Sequence, residues 1–153
     1  MRRSLPVMVA FLVAMVSLTC QGAQIRVSPL GHEILIRPGK SRTRLMTLTN
    51  QGDEGVYVQI HLVDWIKDED GILLKGANHP RSNLKWIAVE PSEFYLAPGE
   101  EGKLRVTADM PDNVEYTGSH WSMMVIEFFK GGTKPFGRLA LGLYTMVEPL
   151  VKE

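Results

Sequence analysis

The amino-acid sequence predicts an all-β protein, a seven-stranded antiparallel β-sandwich of immunoglobulin-like type. Two observations carry this prediction: short segments with apolar residues at alternate positions, and turn residues that separate the segments at nearly regular intervals. A third is that residues 24–153 contain no segment of helical periodicity longer than two turns. The chain has 153 residues, of which 44% are hydrophobic and 22% charged, and this suits a single domain with a buried core.

Residues 1–22 are predicted to be a secretory signal peptide. Arg2 and Arg3 precede an apolar run at residues 5–18, which is short for a membrane span, and small and polar residues follow. Cys20 and Gly22 take the −3 and −1 positions if cleavage follows Gly22. We therefore expect secretion into an oxidising compartment.

Two alternatives to cleavage after residue 22 concern how the chain is anchored. One is an uncleaved anchor at the amino terminus. The other is a lipoprotein acylated at Cys20, but Leu18 and Thr19 fit the residues that usually precede such a cysteine poorly. The prediction is a mature domain at residues 24–150 without a membrane span.

Signal cleavage also changes the charge and the cysteine content. Loss of Arg2 and Arg3 leaves 15 of the 17 basic residues against 17 acidic ones, a net charge of −2. No basic stripe remains that would indicate a nucleic-acid partner. The only cysteine is lost as well, so the mature domain has no disulfide and depends on apolar burial and sheet hydrogen bonds for its stability.

The strands are predicted from alternating or continuous apolar runs bounded by turn residues. They are residues 25–30 with 33–37, then 42–50, 56–67, 84–89, 103–109, 121–129 and 137–149, with a short edge strand at 72–74. The first strand is interrupted at residues 29–31, which is typical of a strand that switches between two sheets. Residues 56–67 and 121–129 are apolar on both faces, which predicts central strands.

The last strand, residues 137–149, is the main candidate for function. Leu139, Leu141 and Leu143 fall on every second position, so an extended chain directs all three to one face. The strand follows a Gly-Gly turn and ends the fold, which predicts an edge strand. Such a row either packs against its own core or binds a partner, and the residues alone leave both possibilities open.

Other chemistry has little support in the sequence. The four histidines show no pair at metal-ligand spacing, so no metal site is predicted: His32, His61, His79 and His120. The three tryptophans are expected to fill the core rather than a ligand groove: Trp65, Trp86 and Trp121. Residues 24–153 contain no phosphate-binding loop, catalytic serine motif or cysteine, so we predict neither an enzyme nor a cofactor.

Five short segments resemble, in their order and spacing, the amino-terminal domain of PapD-like periplasmic pilus chaperones. They are V-S-P at 27–29, I-R-P-G at 36–39, L-T-N-Q-G-D-E at 48–54, V-D-W at 63–65 and F-Y-L-A-P-G-E at 94–100. The resemblance implies a seven-stranded sandwich whose last strand completes the incomplete fold of a pilus subunit. It also implies that Leu139, Leu141 and Leu143, with the neighbouring Tyr144, bind the partner.

The sequence departs from this family at the charged anchor. Pilus chaperones pair an arginine of the first strand with a lysine of the last strand to hold the subunit's terminal carboxylate. This sequence has Leu30, Gly31 or His32 at the first position and Tyr144 at the second. Because Tyr144 offers only one hydrogen bond, partner binding is expected to depend on strand pairing and leucine burial. The resemblance covers the first of the family's two domains.

The sequence therefore predicts a periplasmic, non-enzymatic, chaperone-like protein. It would assist the assembly of a pilus, a fimbria or another surface structure by binding an exported, pilin-like subunit through its last strand, by β-strand addition. The alternative is a non-enzymatic structural or adhesive immunoglobulin-like module of a cell-surface assembly, or a sandwich whose last strand only closes its own sheet.

Overall fold

The computed structural model describes residues 24–71, 73–75 and 78–149, and within these ranges it contains eleven β-strands and one 3-10 turn, Leu84–Trp86. The strands are β1 (Ile25–Ser28), β2 (His32–Ile36), β3 (Ser41–Asn50), β4 (Val56–Val63), β5 (Trp65–Lys67), β6 (Leu73–Lys75), β7 (Ile87–Glu90), β8 (Glu93–Leu96), β9 (Glu101–Asp109), β10 (Gly118–Phe129) and β11 (Gly137–Val147). The all-β prediction is confirmed, whereas the predicted number of seven strands is wrong. The predicted signal peptide and residue 150 lie outside the described residues.

Nine of these strands form a sandwich of two sheets. One sheet has the order β1-β3-β9-β7 and the other the order β2-β11-β10-β4-β8, while β5 and β6 form a separate hairpin. In the described ranges the strand pairs are antiparallel, apart from β2, which runs parallel to β11. The predicted sandwich is therefore confirmed. No helix in the described part of the chain is long and apolar enough to span a membrane.

The four additional strands have three sources: two predicted strands are divided, the short edge strand predicted at residues 72–74 forms as β6, and β8 forms where no strand was predicted. β1 pairs with β3 and β2 pairs with β11, so the first predicted strand crosses between the sheets at residues 29–31, as expected. Gly31 makes this crossing with a φ of 150°, a conformation that residues with a side chain rarely adopt. The predicted strand at 56–67 is interrupted at Asp64, which separates β4 from the β5–β6 hairpin.

The hydrophobic core lies between the inward faces of the two sheets. Its largest fully buried aliphatic side chains come from most of the sandwich strands: Ile34, Ile36, Met46, Leu48, Leu96, Leu104, Met124, Ile126 and Leu143. Each such side chain contributes about 1.5–3 kcal/mol when it leaves water. The two sheets are therefore held together by apolar burial, in agreement with the expectation for a domain without a disulfide.

β10 is the central strand of its sheet, as its sequence predicts. It pairs with β11 on one edge and with β4 on the other. Met124 and Ile126 point into the core, and Met123 and Val125 on the opposite face are also buried. β4 is central as well, since its first half pairs with both β10 and β8. These two strands hold β11 at one side of the sheet.

Candidate partner-binding edge

The last strand, β11, is an open edge over its first half only. One edge of the strand pairs with β10 along its whole length, from Gly137 to Val147. On the other edge β2 pairs only with Leu143–Val147, so within the described part of the chain residues 137–142 have no strand partner there. The prediction of an edge strand is therefore confirmed for residues 137–142, and the second half of β11 is an interior strand.

The open edge exists because the first strand changes sheets. Upstream of residues 29–31 the chain runs in the opposite sheet as β1, and downstream it returns beside β11 as β2. At the crossing Gly31 approaches β11 closely, since a Cβ atom added to Gly31 would lie 3.6 Å from the carbonyl oxygen of Gly142. The crossing thus marks one end of the open edge, and the β10–β11 turn marks the other.

The leucine row of β11 faces the interior of the sandwich. The side chain of Leu143 is 1% exposed and that of Leu141 is 6% exposed, and both belong to the hydrophobic core. Leu139 is half-buried and packs at the border of the core, beside the open edge. In the isolated chain, Leu139 is the leucine of this row that lies closest to solvent. The assignment of the three leucines to partner binding stays a prediction.

The opposite face of β11 carries Arg138, Ala140, Gly142 and Tyr144. The Nε atom of Arg138 donates a hydrogen bond of 2.7 Å to the Glu127 carboxylate on β10. Tyr144 is 41% exposed, and its ring lies over Gly142, where an added Cβ atom would come within 2.6 Å of a ring carbon. The position at which pilus chaperones carry the anchoring lysine is therefore occupied by a solvent-facing phenol.

An apolar groove lies beneath the open edge, between β11 and the edge strand β1 of the other sheet. Its cavity has a volume of about 360 Å³. The groove is lined by Ile25, Val27, Phe128, Phe136, Gly137, Arg138 and Leu139. This groove was not predicted from the sequence. A signal was present in the alternation of Ile25 and Val27, which predicts inward-facing apolar residues on β1.

A buried polar cluster at the end of β4 was also missed. Asp64 is buried and accepts a hydrogen bond from the Ser82 hydroxyl, which itself accepts one from the Leu84 N–H. His79 stacks on Trp121 with ring centroids 4.8 Å apart, and its Nε2 atom lies 3.9 Å from an Asp64 carboxylate oxygen. The Ser82 hydroxyl bonds to the carboxylate and not to the imidazole, so the cluster lacks the serine–histidine hydrogen bond of a catalytic triad.

The tryptophans divide between the core and the outside of the sandwich. Trp86 packs against the hydrophobic core, as predicted. Trp121 instead shares the outward side of β10 with Met123, and its indole N–H donates to the Trp65 carbonyl oxygen at 2.9 Å. Trp65 lies close by, with its ring centroid 6.3 Å from that of Trp121. The prediction of a core position is therefore wrong for Trp65 and Trp121, because they join the β5–β6 hairpin to the outer face.

Asn83 connects the loop after the hairpin to the last strand. Its side chain is fully buried, and its amide nitrogen donates to the Leu143 carbonyl oxygen at 3.0 Å and to the Thr145 hydroxyl at 3.3 Å. The same nitrogen lies 3.4 Å from the His120 carbonyl oxygen. Asn83 therefore ties the covered half of β11 to β10 and fixes the strand that carries the open edge.

Two buried histidines give the fold a pH dependence. Burial lowers the pKa of His120, and the charges of Arg81 and His79 add to this, against a hydrogen bond to the Gly118 carbonyl oxygen that raises it. Burial and the charge of Arg44 lower the pKa of His32. The neutral imidazoles are therefore the stable forms in the folded chain.

We expect the free energy of unfolding to fall as the pH drops below 6.5. A histidine with a lowered pKa in the fold binds its proton more tightly in the unfolded chain, so stability is complete above the unfolded pKa of about 6.5 and decreases below it. Urea unfolding at a series of pH values from 7.5 to 5 measures the slope. His120→Gln should flatten the slope, and the same substitution at the exposed His61 should leave it unchanged. An equal slope in the wild type and in His120→Gln would contradict the expectation.

Comparisons with known proteins were informative at the level of structure. No protein-family model and no curated protein matches the sequence. The CsuC–CsuE chaperone–tip adhesion subunit complex of Acinetobacter baumannii Csu pili matches at 17% identity and a TM-score of 0.61, over 82% of this chain and 53% of that chain. The PapD-like domain 7 of human CEP192 matches at 15% identity and a TM-score of 0.58, over 94% of this chain and 98% of that chain.

A third match is the class 5 fimbriae chaperone CfaA, at 14% identity and a TM-score of 0.53, over 80% of this chain and 55% of that chain. The chain thus spans about half the length of the pilus chaperones that it matches. It has a PapD-like immunoglobulin fold, and the predicted resemblance to pilus chaperones is confirmed at the level of fold. Because the human domain has the same fold, function has to be argued from the open edge.

Proposed function

We propose that this chain is a periplasmic, chaperone-like protein that assists the assembly of a pilus or another surface structure by binding an exported subunit through its last strand. The observation that carries the proposal is the open edge of β11 at residues 137–142. An unpaired strand edge exposes backbone N–H and C=O groups that pair with an incoming strand. The pilus chaperones among the structural matches support the same class of function.

The binding mode follows from what lies on each side of the open edge. Backbone hydrogen bonds of residues 137–142 supply the pairing, and Leu139 is the leucine nearest to the incoming strand. Leu141 and Leu143 reach a partner only if β11 leaves its own core, so we assign the first contact to Leu139 and to the backbone. Tyr144 offers a single hydroxyl beside this edge, and binding therefore relies on the strand ladder rather than on a charged anchor.

A second function is a structural module of a surface assembly. It is favoured by the match to the PapD-like domain 7 of human CEP192, which covers 98% of that chain and has the same fold. In both functions the protein acts by binding and not by catalysis. The two differ in lifetime, because a chaperone releases its subunit whereas a structural module stays in the finished assembly.

A pair of proline substitutions tests strand pairing at the open edge. Successive N–H groups of a strand point to opposite edges, so one of Leu139→Pro and Ala140→Pro removes a bond to β10 and the other removes a donor only from the open edge. We expect the variant that loses only the open-edge donor to stay folded. It should bind the exported subunit about tenfold more weakly, since it cannot form one of the backbone hydrogen bonds to the incoming strand. Co-purification from the periplasm, with thermal unfolding as the folding check, measures both.

The matched control is a proline pair on β7, which is an edge strand of the other sheet and, among the described strands, pairs with β9 alone. The folded member of Ala88→Pro and Val89→Pro should retain the captured subunit. Undiminished capture by the folded β11 variant would contradict the proposed function. A subunit that stays bound in isolated surface structures, together with this chain, would favour the structural module instead.

A further inference from the structure

The open edge and the apolar groove form one continuous surface, which we call the docking slot and define by residues 137–142 and the groove residues Ile25, Val27 and Phe136. The slot lies in line with β2, which occupies the same side of β11 one segment further along. Phe136 is 44% exposed at its mouth. An incoming strand that pairs with residues 137–142 would therefore occupy the place that the first strand leaves when it changes sheets.

The side chains of such a strand have a defined direction. In β2 the inward-facing residues Ile34 and Ile36 are buried in the core, and Leu35 between them is exposed. A strand that continues the line of β2 turns alternate side chains into the groove in the same way. Leu141 and Leu143 already fill the core of this chain and leave no apolar row of β11 free for insertion elsewhere.

We propose that the partner inserts apolar side chains into this chain: the docking slot accepts alternate apolar side chains of an extended segment of the exported subunit. This inference rests on the proposed function and specifies which of the two proteins supplies the inserted side chains. The slot spans six backbone positions, 137–142, so three alternate residues of the segment face inward.

The groove also determines the chemistry of these inward residues. Among the described residues that line it, Arg138 carries the only charge, and that charge is paired with Glu127 on β10. An unpaired charge inserted by a partner would find no counter-charge there and would lose its hydration. Aliphatic side chains such as valine, isoleucine or leucine match this lining. On the outer face Ala140 is small, whereas the Tyr144 ring covers Gly142, so the outward residues of the segment have room beside Ala140.

The probe is a fluorescein-labelled peptide of seven residues in which threonine and valine alternate, with three valines. Two control peptides contain glutamate in place of the valines, or the same residues with the three valines adjacent. Fluorescence anisotropy with this protein, purified in its exported form, should detect binding of the alternating peptide and weaker binding of both control peptides. Equal binding of the glutamate peptide would overturn the inference, because the groove has no free cation for it.

Substitutions in the groove test the same point from the side of this chain. Phe136→Ser should weaken binding of the alternating peptide about tenfold, because the ring forms the mouth of the groove. Leu45→Ser is the matched control, since Leu45 is 61% exposed on the other sheet, and it should leave binding unchanged. Val27→Thr, which preserves shape, is the second groove variant and should weaken binding as well. It replaces Phe136→Ser as the test if Phe136→Ser alters folding.

The outcomes separate this inference from the proposed function. If the folded proline variant of β11 loses the peptide while both groove variants keep it, strand pairing stands and side-chain insertion is refuted. If neither the proline variant nor the groove variants affect capture of the exported subunit, the proposed function fails. A dimer of this chain in sedimentation that Phe136→Ser dissociates would place a second copy in the slot and overturn the choice of occupant.

Discussion

Replacing Leu143 with alanine is expected to lower the free energy of unfolding by about 2–5 kcal/mol. Leu143 is 1% exposed, and its strand has β10 on one edge and β2 on the other at this position. The substitution leaves a cavity between the two sheets. Because β11 is paired on both edges at this position, the neighbouring strands can move little to fill the cavity. Urea unfolding followed by circular dichroism gives the value.

The neighbouring residue supplies a control on the same strand. Tyr144 is 41% exposed on the opposite face, so Tyr144→Ala should change the free energy of unfolding by about 1 kcal/mol or less. A larger loss for Tyr144→Ala than for Leu143→Ala would contradict the placement of the leucine row in the core. It would also restore the interpretation in which that row is free to enter a partner.

The burial of the row changes which experiment can test partner binding. A charge at Leu141, which is 6% exposed, would be buried without a counter-charge and would unfold the domain whether or not β11 binds a partner. Loss of capture in Leu141→Glu would therefore carry no information about the function. The proline pair at Leu139 and Ala140 avoids this problem, because its folded member removes a backbone donor from the open edge and introduces no charge into the core.

Much of the fold follows from local sequence patterns. The crossing of the first strand at residues 29–31 was predicted from Pro29 and Gly31, and the central position of β10 from apolar residues on both of its faces. One source of the wrong strand count is a single polar residue, Asp64, which divides an otherwise continuous apolar run. Its burial depends on Ser82, a partner 18 positions away that no local pattern indicates.

The candidate site was predicted only in part for the same physical reason. Alternation in β11 identifies a strand with one apolar face, but a core-facing row and a partner-facing row have the same alternation. The groove is formed between residues such as Val27 and Leu139, which are far apart in sequence and lie on different sheets. The open edge likewise depends on where β2 stops covering β11, and this is a property of the strand register.

Asn83→Asp is expected to destabilise the fold by about 3–5 kcal/mol at pH 7. The Asn83 amide nitrogen is a donor to the Leu143 carbonyl oxygen and the Thr145 hydroxyl, and the side chain is fully buried. A carboxylate has no proton to donate, so it would face acceptors, leave them unpaired and carry a buried charge. Urea unfolding at pH 7 gives the loss, and Asn78→Asp at an exposed position of the same loop is the control.

The pH dependence of this variant identifies the cause of its loss. Burial raises the pKa of the introduced carboxyl group above its unfolded value, so the folded state gains protons first and the deficit relative to the wild type should shrink as the pH falls from 7 to 5. The comparison with the wild type at each pH removes the contribution of His32 and His120. A deficit that stays constant with pH, or one equal to that of Asn78→Asp, would contradict the hydrogen bonds assigned to Asn83. Because these bonds end on the covered half of β11, loss of Asn83 should also weaken subunit capture, whereas Asn78→Asp should not.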